Sequence, residues 1–163
     1  DFTHCLSDMI EGITIYDRVR LQELGIDSCY DLANEDFIPS LFKTPYSPRR
    51  LINWILQAKM CVYFGHQVGE LRKHGIHTVW QFSEYSEAGL KALAKNSALT
   101  EDTLLMVKHL IDKDNEIKRL VDAQVKLSRY WNTDEGVPVE NDQKPGAVEG
   151  DQTPPTSTPE PPG

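Results

Sequence analysis

Residues 10–33, IEGITIYDRVRLQELGIDSCYDLA, read as a helix, a tight turn at Gly12, a second helix, and a Gly25-Ile26 turn into a third. Gly tolerates positive φ and so suits a helix end; Ile26 beside it is expected to bury, and Ser28 is placed to cap the helix that follows. Fifty positions on, LRKHGIHTVWQF from Leu71 repeats LQELGIDSCYDL from Leu21 without a gap. Leu21, Gly25, Ile26, Ser28 and Leu32 align with Leu71, Gly75, Ile76, Thr78 and Phe82, which predicts an internal duplication with equivalent structural turns at Gly25-Ile26 and Gly75-Ile76.

Each copy continues into a further short helix, NEDFIPSLF in the first and YSEAGLKALAK in the second. Between the copies, SPRRLINWILQAKMCVYFG begins with Ser47 as N-cap and Pro48 at the first helical position. Leu51, Ile55, Ala58 and Val62, flanked by Trp54 and Met60, give this segment a broad apolar face at helical spacing, so it is expected to be the central helix. From Thr100 to Trp131 no Gly or Pro interrupts, and a C-terminal helix over 100–131 is expected. Its two apolar stripes, Leu104-Val107-Ile111 and Ile117-Leu120-Val121-Leu127, are separated by polar DKDNE, so the alternatives are one helix with an exposed waist or two with a bend. The second stripe is expected to pack back on its own domain, with self-association through it as the alternative.

From Asn132 onward seven of the ten prolines occur among seven acids and one base. With almost no large apolar groups to offset ordering entropy, residues 132–163 are expected to form a disordered acidic tail. That tail carries a net −6 of the total −8, so residues 1–131 are nearly neutral and do not present a general polyanion-binding surface. Three scattered cysteines, Cys5, Cys29 and Cys61, suit buried thiols in a reducing compartment better than a disulfide framework, which points to the cytoplasm. The chain starts at Asp1 without Met, and a cytoplasmic domain of a larger, membrane-anchored protein is a further reading. This segment itself holds no apolar run long enough for membrane insertion.

The opening segment resembles the helix-hairpin-helix family, with Ile10, Gly12, Ile13, Leu21, Gly25, Ile26, Ser28, Asp31 and Leu32 filling the family's positions in one register. A weaker match covers Gly69 to Phe82, so the resemblance spans about a quarter of the chain. It implies an all-α bundle of two such units, about 1–46 and 47–99, joined by a central helix. In nucleic-acid-binding members the hairpin brings backbone amides at a helix N-terminus up to a phosphate. Here Thr14 replaces the second hairpin Gly, where a β-branched residue resists positive φ and crowds a phosphate, and Asp17 adds repulsion. Gly12, Ile13, Thr14, Arg18, Arg20, Arg49 and Arg50 are the residues that would carry weak, structure-directed DNA or RNA binding.

The preferred expectation is a non-enzymatic module that docks a protein partner or other parts of a larger chain, with nucleic acid disfavoured and no cofactor. His74 and His77 lie on two sides of a Gly turn and need not share a face, so a metal site is not expected; nor do His4 and Cys5, adjacent in sequence, make a nucleophile pair. Truncation after Trp131 should leave the midpoint of thermal unfolding nearly unchanged; a drop of several degrees in a calorimetric scan would show that the tail packs on the domain.

Overall fold

A computed structural model describes residues 6–131; the expected tail, Cys5 and His4 lie outside the described residues. Ten α-helices follow one another, with no strand among the described residues: α1 (Leu6–Met9), α2 (Ile15–Glu23), α3 (Cys29–Ala33), α4 (Phe37–Lys43), α5 (Pro48–Phe64), α6 (Val68–Lys73), α7 (Val79–Ser83), α8 (Glu87–Lys95), α9 (Glu101–Asp112) and α10 (Asn115–Trp131). A 3-10 turn, Gly65–Gln67, joins α5 to α6. The chain is thus all-α, as its 3.6-residue periodicities require.

Helix α5 starts where Ser47 accepts the Arg50 amide and Pro48 occupies the first turn. It is wrapped more completely than one apolar stripe implies: Leu51, Ile52, Trp54, Ile55, Leu56, Ala58, Met60 and Cys61 are all buried, and so are the polar Arg50 and Gln57. Helices α3, α4, α6, α7 and α10 all pack on it, α3 most extensively. Removing the side chain of the fully buried Trp54 would cost about 3–5 kcal/mol, a large share of the stability of a domain this size.

The two Gly-Ile turns share one hydrogen-bond pattern. Gly25 N–H donates to Gln22 O (3.0 Å) and Ile26 N–H to Leu21 O (2.9 Å); Gly75 N–H donates to Arg72 O (3.0 Å) and Ile76 N–H to Leu71 O (3.0 Å). Each is a Schellman closure, with the Gly at φ 86° and 81° and the following Ile buried. Ser28 and Thr78 then cap α3 and α7 by accepting the amides of Asp31 and Gln81. Gln81 Oε1 in turn accepts the Thr78 amide (3.2 Å), completing a capping box, while Asp31 Oδ2 accepts the amide of Asp27, one residue before the cap (3.0 Å).

The C-terminal segment departs from a single helix over 100–131. Helix α9 closes at Lys113, and the Asp114 carboxylate then accepts the amides of Glu116 (2.9 Å) and Ile117 (3.2 Å), which caps α10 anew. The break lets α10 turn back onto α5 and α7. Ile117 and Leu120 are buried there, Val121 and Leu127 lie against the core, and Gln124 Nε2 donates to Arg49 O (3.3 Å). The second apolar stripe is therefore spent on its own domain.

A Cβ added at Gly25 or Gly75 would meet nothing within 4 Å, so the cost of Ala at either lies in the positive φ alone. Urea unfolding should show Gly25→Ala and Gly75→Ala destabilised by about 1 kcal/mol and the Asn variants by less, because Asn tolerates this conformation. Equal losses for Ala and Asn would point to a steric cause instead.

Candidate functional site

The first hairpin is anchored from below by Ile10 and Ile13, 2% and 5% exposed, with Gly12 at φ 95° making the turn between them. Positive φ therefore falls on Gly12 and not on Thr14, whose φ of −89° is that of an extended N-cap. The expectation that a β-branched residue at position 14 strains the turn is corrected accordingly. Thr14 and Asp17 instead form a capping box: Thr14 Oγ1 accepts the Asp17 amide (3.2 Å), while Asp17 Oδ2 accepts the Thr14 amide (3.1 Å) and hydroxyl (3.0 Å). The carboxylate thus sits on the very end of α2 where an external anion would otherwise be attracted.

Asp17 also reaches across the fold, its Oδ1 accepting the hydroxyl of Tyr46 (3.0 Å), twenty-nine residues away. Tyr46 is 8% exposed and stands edge-on to Trp54, with ring centroids 4.7 Å apart. The guanidinium carbon of Arg50 lies 5.9 Å from the Tyr46 ring centre and 5.7 Å from that of Trp54. Burial pushes the Tyr46 hydroxyl well above the ordinary tyrosine range; the Asp17 carboxylate adds to the rise, and Arg20 and Arg50 oppose it. Of the four arginines that the sequence nominates, Arg20 is exposed, Arg18 and Arg49 are half-buried, and Arg50 is 8% exposed.

The outer side of α2 is apolar. Ile15, Tyr16 and Val19 are 64%, 85% and 47% exposed, and only Leu21 of this helix is buried. Exposed apolar side chains recur at Ile38 and Phe42 on α4 and at Met106 and Leu110 on α9. Between α4 and α10 lies an open groove of about 520 Å³ floored by Phe37, Ile38, Leu120 and Ala123.

The back of the loop between α1 and α2 is held by α5, by α6 and by His77 just ahead of α7. Gln57, buried in α5, accepts the Glu11 amide (2.7 Å) and donates to the Glu11 carbonyl (3.2 Å). Arg72 and Cys61 both donate to Met9 O, and His77 Nδ1 pairs with Glu11 Oε1 at 2.9 Å. His74 faces Glu70 instead, at 3.9 Å, so the two histidines serve different carboxylates. Among the described residues no group of three His, Cys, Asp or Glu side chains could hold a metal ion. Cys29 and Cys61 are free and buried; the neighbouring Cys61 sulfur and burial push the Cys29 thiol far up, which keeps it protonated and unreactive.

Sequence reasoning missed Tyr46 and the capping role of Asp17. The Thr14-x-x-Asp17 spacing was a usable signal for the cap, whereas nothing local to Tyr46 names its partner.

Because folded Tyr46 holds its proton more tightly than the unfolded chain does, its contribution is complete below the ordinary tyrosine value near pH 10 and is lost as pH rises through the higher folded value. Tyr46→Phe should therefore cost about 1–2 kcal/mol in urea unfolding at neutral pH, a difference that narrows as pH rises above about 10. A difference that stays constant through that rise would show that the hydroxyl does not carry the bond. Compared with family models, with curated proteins and with solved structures, the chain finds no match.

Proposed function

We propose that this domain is a non-enzymatic interaction module on a divergent helix-hairpin-helix scaffold, and that it docks a protein partner through the outer face of α2. The observation that carries the reading is the exposure of Ile15, Tyr16 and Val19 on a helix whose N-terminus is already filled by its own carboxylate. Burying such side chains in a partner supplies about 1.5–3 kcal/mol each before the costs of association are set against it. Arg20, exposed on the same helix, suits a partner whose apolar pocket is rimmed by a carboxylate. The same features disfavour a phosphate backbone, since Asp17 competes for the amide end of α2 and the nearby surface is apolar.

Two measurements test this. A photo-crosslinking residue at position 16 should give a discrete protein adduct in the native cell, and Ile15→Ser with Val19→Ser should abolish it while changing stability by no more than about 0.5 kcal/mol per site. In parallel, duplex DNA should bind weakly, and Thr14→Gly with Asp17→Lys should strengthen binding, each phosphate contact adding about 0.9 to the log–log salt slope. Binding by the unaltered domain at near-physiological salt, with a slope of several units that Arg18→Ala or Arg20→Ala removes, would overturn the docking reading in favour of a working phosphate hairpin.

A further inference from the structure

Arg50 is the third residue of α5, at the helix end where the macrodipole opposes a cation, and it is 8% exposed. No carboxylate among the described residues pairs with it, although the chain has 25 acids against 17 Lys and Arg. Its Nε and Nη2 are buried with no hydrogen-bond partner, and so is the Nε1 of Trp54, whose ring centre lies 5.7 Å from the guanidinium carbon. Nε and Nη2 are the side-on fork with which an arginine grips an oxyanion. The aromatic rings offset part of the charge but give these N–H groups no oxygen to bond. Two buried donors on Arg50 and a third on the neighbouring Trp54 therefore have no acceptor, an arrangement that folded proteins resolve with a bound water or an ion.

We propose that the N-terminal end of α5 is a binding site for a small tetrahedral oxyanion of the phosphate and phosphate-monoester class, gripped by the Arg50 fork and the Trp54 indole. Helical side chains lean toward the N-terminus of their helix, which sends the Arg50 stem back over Tyr46, the residue before the Ser47 cap. A tetrahedral anion offers acceptors in several directions at once, whereas a planar carboxylate serves only the fork. The positive end of a seventeen-residue helix adds a field of the right sign. The donors are covered, so the anion enters as the Tyr46 ring swings aside. That ring's hydroxyl is tied to Asp17 on α2, a helix with only Leu21 buried, so the cover is hung on a lightly anchored element. The site is separate from the outer face of α2, and its occupancy does not depend on the docking reading.

The test is a titration of the whole chain followed by nitrogen-detected NMR, with the Trp54 indole N–H assigned through Trp54→Phe. Inorganic phosphate and glycerol phosphate are added separately, against sodium chloride at matched ionic strength. Both the Trp54 indole and the Arg50 Nε–H signals should shift saturably with at least one of the phosphates and not with chloride. Tighter binding of the ester than of inorganic phosphate would identify an esterified ligand, and the reverse a free one; either supports the site. Arg50→Lys, which keeps the charge and loses the fork, should weaken the response at least tenfold. If neither signal of the unaltered chain moves with either phosphate, or chloride moves them equally, the proposal is overturned and the donors are satisfied by water. Unaltered phosphate affinity in folded Arg50→Lys would overturn it as well.

Discussion

The burial of α5 on nearly every side is the constraint from which the rest of the structure follows. With α3, α4, α6, α7 and α10 packed around it, a polar side chain buried in α5 either organises a neighbour or stands unsatisfied. Gln57 takes the first course: by bonding both the amide and the carbonyl of Glu11 it fixes the hairpin loop between α1 and α2. Lys59 does likewise at the other side, donating to the carbonyl of Ala33 at the end of α3 (2.8 Å). The conformation of the first unit is thus read out from the central helix, and not from the hairpin's own sequence alone.

What could be read from sequence was what is local. The Gly-Ile closures, the Ser28, Ser47 and Thr78 caps and the limits of α5 are set by residues within five positions of one another, and each was legible for that reason. The break at Lys113-Asp114 was readable as an alternative, because a polar interval marks a place where a helix has nothing to bury. Which alternative holds depends on whether Ile117 and Leu120 find a surface to cover, and that surface is built by α5 and α7, far away in the chain. Tyr46 and Arg50 were illegible in the same way: an aromatic ahead of a cap and an arginine in a first turn both look like surface residues until Trp54 and Asp17 close over them.

Position 17 shows how one residue can occupy a helix end. An amide-bearing helix end is a neutral opportunity, available to any acceptor that reaches it. In α2 that acceptor is covalently supplied, three residues into the helix, and it cannot diffuse away. An external phosphate must displace a carboxylate at very high effective concentration and then accept its charge as a neighbour. On the proposed docking reading, weak anion affinity at this helix end would follow from local stability, since the box that secures α2 occupies the amides a ligand would need.

The end of α5 presents the opposite case. Its cap is a neutral serine, its first turn carries an arginine, and no acid is within ion-pair reach of that arginine among the described residues. Replacing Arg50 by an apolar residue of similar length would remove a desolvation cost, and buried charges that are merely structural are commonly neutral to such a change. The two helix ends are joined by the bond from Tyr46 to Asp17, so the carboxylate that closes α2 also holds the ring that covers Arg50.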